Sequence, residues 1–155
     1  MYTDKEQARL QAYLDAHNLT PTAILITHAH PDHVCGVEYL TQRYPDLPVY
    51  GLDTQVCNTP LPERLNLLGL SIQMISTPGH KEDAVCYYIE SEQIIFTGDT
   101  LFQESVGRTD LPGGDMSALV QSLQKLATLP DATKVYPGHG YPTTIGHEKQ
   151  FNPYM

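Results

Sequence analysis

The stretch "ITHAHPDHVCG" (residues 26–36) places three histidines and an aspartate within six positions. Imidazole titrates near neutral pH and serves as the commonest protein metal ligand. Crowding of this kind needs a cause. The residues just before it, "TAILIT" (22–27), read as a short, continuously apolar strand of the sort buried on both faces. That strand ends at His28, so the cluster sits on the loop leaving a strand tip.

The same arrangement recurs along the chain. His80 follows "TPG", Asp99 follows "FTG", and His139 follows "YPG". Each lies at or just past the end of a segment that reads as a strand. A glycine directly precedes each of the three, where the lack of a Cβ permits a sharp turn and close backbone approach. Five of the seven histidines take part. A sheet that gathers its strand tips at one edge would bring His28, His30, Asp32, His33, His80, Asp99 and His139 together. Seven ligands exceed the need of one tetrahedral ion and suit two ions sharing a carboxylate. Imidazole and carboxylate favour zinc and also accept iron or manganese. No cysteine occupies a motif position, which argues against a closed structural zinc site and for an open, water-bearing one.

Around these points the chain alternates strands and helices, which makes the fold class α/β. Thr3 to His17 reads as a helix with a Thr3–Glu6 capping box, an inward face of Leu10, Tyr13, Leu14 and His17, and a left-handed stop at Asn18. A second helix, with Val34, Val37 and Leu40 inward, ends before Pro45. "PVYG" (48–51) and "LSIQMIS" (70–76) read as strands, with 52–69 ambiguous. "AVCYYI" (84–89) and "QIIFT" (93–97) form a hairpin. A Gly-rich loop spans 103–114. Asp115 caps a helix whose Met116, Leu119, Val120, Leu123 and Leu126 share a core face, and "KVYP" (134–137) is the final strand.

The bulk numbers set the class of protein. At 155 residues with 41% apolar content, the chain is long enough for one cored domain, and residues 1–155 are expected to form it. No segment approaches the roughly 20 apolar residues of a membrane span. The polar start has no apolar h-region. Cys35, Cys57 and Cys86 are odd in number and read as reduced thiols, so a cytoplasmic location is expected. A net charge of −9 argues against a nucleic-acid binder. The expected partner is a small-molecule substrate, with neither nucleic acid nor membrane.

The four ordered blocks, H-x-H-x-D-H at 28–33, His80, Gly98-Asp99 and His139, resemble the metallo-β-lactamase fold superfamily. Within it, "SVGRTDLPGGD" (105–115) and "GHGYPTTIGHEKQFNP" (138–153) are similar to small glyoxalase II-like hydrolases. The resemblance covers essentially the entire chain. It implies an αββα sandwich, with His28, His30 and His80 on one metal, Asp32, His33 and His139 on the other, and Asp99 bridging. An aspartate there separates the chain from many true β-lactamases, which carry cysteine. Against the family pattern the chain starts at the first helix, so about 40 to 60 residues of front strands are expected to be absent, judged by usual domain size. An N-terminally truncated sandwich would leave an open strand edge and apolar surface, so a homo-oligomer is expected.

The implied chemistry is hydrolysis of a thioester by a hydroxide bridging two divalent ions, zinc first among them. Asp32 and Asp99 would be the catalytic carboxylates. Arg108 and Lys149 are cationic candidates for the substrate, and Tyr141 for the pocket wall; an Arg108–Asp110 pair that merely pins the loop is the competing reading. Cys35 reads as a small buried hydrophobe rather than a ligand. His17 and His147 read as ordinary. The rival functions are a mono-iron persulfide dioxygenase using a subset such as His28, His80 and Asp99, a nuclease or phosphodiesterase, and a truncated metal-binding domain without activity.

Overall fold

The structure, a computed structural model, describes residues 4–155. The elements run α1 (Asp4–Ala16), β1 (Ile24–Leu25), α2 (Pro31–Val34), α3 (Val37–Arg43), β2 (Val49–Tyr50), β3 (Arg64–Leu67), β4 (Leu70–Ser76), β5 (Val85–Ile89), β6 (Ile94–Gly98), β7 (Leu101–Phe102), β8 (Ser105–Val106), α4 (Met116–Leu126), β9 (Lys134–Pro137), β10 (Thr143–Thr144) and α5 (Ile145–Phe151). This is an α/β fold. A six-stranded sheet has the order β10-β9-β6-β5-β4-β3, and β1 pairs in parallel with β2 beside it.

Strand direction decides where the ligand-bearing loops meet. β4 is antiparallel to β5, β5 antiparallel to β6, and β6 parallel to β9. So β4, β6 and β9 all point the same way, and their carboxyl ends reach one edge of the sheet. The next residues in each case lead to His80, Asp99 and His139. β5 begins at that edge, and there Val85 N–H donates to Thr27 O at 2.8 Å. The tip of β1, which leads to His28, is tied to the same edge. Ligands in open α/β sheets bind beyond the carboxyl ends of strands for this geometric reason.

Two apolar clusters hold the sheet. On one face Leu119, Leu123 and Leu126 of α4 pack on Cys86, Tyr88, Ile95 and Val135. Asp115 starts α4 by accepting from Ala118 N–H, as its position before the apolar run predicts. On the other face Ile72, Val85, Tyr87 and Ile89 pack with Leu25 and Leu65. Tyr87 crosses to the small sheet, its hydroxyl donating to Ile26 O at 2.8 Å. β5 therefore has both faces covered and all five residues buried.

Several expectations are corrected in detail. The strand at 22–27 shortens to Ile24–Leu25, because only β2 pairs with it, and both residues are half-buried. The helix after the motif is two pieces, broken at Cys35-Gly36. The ambiguous segment 52–69 contains β3. The β7–β8 hairpin was hidden in "LFQESV", since two-residue strands carry no readable period. Met116, expected in the core, is 43% exposed; it is the first residue of α4, and the buried face begins at Leu119. Asn18 does adopt the left-handed conformation, with φ 51°, whereas Thr3 of the expected capping box lies outside the described residues. No helix among the described residues is long and apolar enough to cross a membrane.

Burial predicts unequal costs along α4. Leu123→Ala is expected to lower unfolding free energy by about 2–5 kcal/mol and Met116→Ala by no more than about 0.5 kcal/mol, as read by denaturant titration. Equal losses would contradict this packing.

Candidate metal centre

Extended backbone at the end of β1 puts side chains two apart on the same side. His28 and His30 therefore face one point. The chain then turns into α2, with His30 at the N-cap and Pro31 at the first helical position, where a missing N–H costs nothing. One turn of helix presents Asp32 and His33 toward the same edge. The three later residues arrive from the carboxyl ends of β4, β6 and β9.

The ligand atoms converge. His80 Nε2 lies 2.9 Å from His30 Nδ1. His139 Nε2 lies 3.3 Å from His33 Nε2 and 3.1 Å from Asp32 Oδ2. Asp99 sits between: Oδ1 is 3.4 Å from His33 Nε2, and Oδ2 is 3.6 Å from both His80 Nε2 and His139 Nε2. Three groups have ligand atoms mutually within 4.8 Å: His28, His30 and His80; Asp32, His33 and His139; and His28, His33 and Asp99. All seven residues singled out in the sequence are brought to this edge.

The donor set fits divalent metal on the structure's own terms. His80 Nδ1 donates to the Arg108 carbonyl at 2.7 Å, which fixes the tautomer and leaves Nε2 as a lone pair facing the cluster. Of the three buried side-chain polar atoms without a hydrogen-bond partner among the described residues, Thr133 Oγ1 lies elsewhere and the other two are His28 Nε2 and Asp99 Oδ1. Both belong to this cluster, and buried polar atoms are rarely left so without a function. Backbone approach is equally tight. A Cβ on Gly138 would stand 2.3 Å from Asp99 Oδ1 and 2.7 Å from His33 Cε1, and Gly98, at φ +50°, would set one 2.5 Å from Thr27 Oγ1. Glycine at these two positions lets strand tips close around the ligands.

Charge follows from the packing. Burial, with His33 nearby, pushes His28 down to about 3, so its imidazole is neutral at pH 7. The Asp99 carboxylate beside His33 holds that imidazole above its ordinary value. For Asp99 itself burial works upward, but His33, His28 and His139 outweigh it and keep the carboxyl below the usual range. His30 is lowered by burial and by His80. A neutral His28 beside an ionised Asp99 is the protonation state that ligation requires.

The weaker candidates separate. Arg108 contributes its carbonyl to His80, while its exposed guanidinium makes a bidentate pair with Asp110 at 2.6 Å. Lys149 donates to Asp131 at 2.6 Å, before the start of β9, at the opposite end of that strand from His139. It is not brought to the cluster, because α5 folds back along the sheet. Tyr141, two residues past His139, is 77% exposed at the ligand edge. Cys35 is half-buried, and its thiol points back to Asp32 O rather than to the cluster. The Arg108 carbonyl that orients His80 had no sequence signal, since any residue supplies a carbonyl.

Comparison with known proteins places these observations. The family model of the metallo-beta-lactamase superfamily matches residues 3–55 and 64–139. A hydroxyacylglutathione hydrolase of Glaesserella parasuis is 35% identical over 184 residues, covering 93% of this chain and 77% of its own. The solved structure of TTHA1623 in a di-iron-bound form superposes with TM-score 0.85 at 40% identity, covering 95% of this chain and 84% of that one. BLEG-1, a B3 metallo-beta-lactamase, gives TM-score 0.89 at 32% identity, with 99% and 91% covered.

The electrostatics predict a pH signature in metal-free protein. His28 titrates near 6.5 when unfolded and about 3 when folded. Its contribution is therefore complete above pH 6.5 and declines as pH falls toward 3. His33, raised on folding, acts oppositely: its contribution is complete below 6.5 and lost as pH rises through its folded value. Asp99, depressed, loses its share only below the normal carboxylate range. Denaturant midpoints are expected to fall between pH 6.5 and about 4.5, and His28→Gln to flatten that fall. A flat profile in the parent chain would contradict a buried neutral His28.

Proposed function

This chain belongs to the metallo-beta-lactamase superfamily, and from that premise we propose that it is a metal-dependent hydrolase of thioesters, of the hydroxyacylglutathione type. The observation that carries the reading is Asp99, set between a histidine trio and an Asp32–His33–His139 group. The kinship with a hydroxyacylglutathione hydrolase supports the choice of thioester. We take the ions as zinc, the donors being imidazole and carboxylate; iron and manganese suit the same donors.

His28, His30 and His80 would hold one ion and Asp32, His33 and His139 the second, with Asp99 shared. Divalent ions so held supply Lewis acidity, acidifying water toward neutrality and polarising a carbonyl. The chain's own residues do the rest. Asp32 is exposed and acceptor-only when ionised, so its carboxylate orients a water at the cluster's open side. Burial of His28 and Asp99 keeps the inner side dry and raises the strength of every charge there. Tyr141 stands at the rim as a contact for the acyl or thiol part. A departing thiolate needs no strong general acid, because a thiol's pKa is only about 8.5.

We further propose a small-molecule substrate, no nucleic-acid or membrane partner, and a cytosolic location, in keeping with three unpaired cysteines. Self-association belongs to the same reading. Phe96 lies on an inner strand of the sheet, faces away from α4, stacks on Tyr136 at 5.6 Å, and is nevertheless 44% exposed.

Two measurements test these proposals. Metal-loaded protein is expected to release thiol from S-lactoylglutathione, and Asp99→Ala to lose both turnover and bound metal by about 100-fold or more. Full activity in that variant, or oxygen uptake on a single iron, would displace the reading. Light scattering is expected to give a dimer or larger species; a stable monomer would remove the self-association.

A further inference from the structure

The metal loop is fastened to the start of β5 at two points that straddle His28. One is the backbone bond from Val85 N–H to Thr27 O, at 2.8 Å. The other is a side-chain bond: Ala29 N–H donates to Asp83 Oδ2 at 2.9 Å. Ala29 lies between His28 and His30, both in the trio with His80. The peptide that separates the two imidazoles is thus held by one carboxylate from the turn before β5, 54 residues away.

Asp83 is itself fixed. Its Oδ1 accepts from Lys81 Nζ at 2.8 Å, and the same ammonium stands 3.9 Å from Asp53 Oδ2. The Asp83 and Lys81 side chains are only 11% and 17% exposed. A mostly buried carboxylate needs its oxygens satisfied, and here one goes to the ammonium and one to the loop. Lys81 directly follows His80. The ion pair therefore also links the His80 backbone to the loop carrying His28 and His30, so all three members of the trio meet through Asp83.

We propose that Asp83 is a positioning residue for this centre: it orients the Ala29 peptide, and with it the His28 and His30 rings, while Lys81 and Asp53 keep its carboxylate in place. This rests on the proposal that the cluster binds metal. The physical need is precision. Rotating the Ala29 peptide turns both rings at once, and ligand sets must be held to within about 0.5 Å. A bond to the connecting peptide removes that freedom without occupying a coordination position. Outer groups that orient ligands commonly set metal affinity by about 10–100-fold.

The test is Co(II) titration of metal-free protein, followed by visible absorption and chelator competition. In Asp83→Ala one of the two ions is expected to bind about 10–100-fold more weakly, with a shifted spectrum, and the other within about threefold of the parent. Asp83→Asn keeps an oxygen acceptor and is expected to stay within about threefold at both. Parent-like affinity in Asp83→Ala overturns the inference. So does an equal loss at both ions, or a loss in Asp83→Asn as large as in Asp83→Ala. Should Asp83→Ala give no cooperative melt, Lys81→Met replaces it, leaving the acceptor without its anchor; weakening of about threefold or more at one ion is expected, and unchanged affinity overturns the inference. A parent chain that binds no Co(II) would defeat the metal reading itself, and this inference with it, before any variant is compared.

Discussion

Asp99 is a buried carboxylate surrounded by imidazoles, and the site depends on that contact. Taking an ionised carboxylate out of water costs several kcal/mol unless charge or hydrogen bonds offset it. Asp99 gets that offset chiefly from His33, with His139 adding to it from a different segment. Its Oδ1 remains without a hydrogen bond, and so does His28 Nε2. A cation held by this cluster would satisfy what the protein alone leaves open. Burial, with His33 beside it, holds His28 neutral, while the Asp99 carboxylate keeps His33 proton-loving.

The sheet makes this meeting unavoidable. With β4, β6 and β9 running in one direction, any residue just past their ends falls at the same edge. Tyr87 and Val85 tie the β1 segment to that edge through Ile26 and Thr27. The apolar packing of α4 on the sheet fixes the strands that carry the ligands, and Ser122 of α4 bonds to Pro78 O, two residues before His80. Fold stability and site geometry are therefore coupled through the same strands. The chemistry is concentrated on short, glycine-bearing connections at their ends, as expected where function sits on loops positioned by a rigid scaffold.

Much of this was legible from residue order. Strand, glycine, ligand is a local pattern, and its repetition announced one converging edge. The β4, β5, β6 and β9 boundaries and the α4 cap were readable, because period and capping are local properties. What escaped detection is either too short to carry a period or depends on contacts distant in sequence. The two-residue strands β7, β8 and β10 are defined by their partners alone. The break at Cys35-Gly36 splits what reads as one helix into two short pieces. Lys149 looked like a free cation near the last ligand, but α5 folds back and commits it to Asp131. The Arg108 carbonyl and the Asp83 carboxylate act through hydrogen bonds spanning 28 and 54 residues, which no spacing rule encodes.

We propose that this sheet edge holds two divalent cations that share Asp99. Anomalous diffraction from crystals of zinc-loaded protein tests it most directly. Two peaks are expected, one among His28, His30 and His80 and one among Asp32, His33 and His139, each within bonding distance of an Asp99 oxygen. A single peak at this edge, or metal bound only elsewhere on a chain whose strands keep this arrangement, would contradict it.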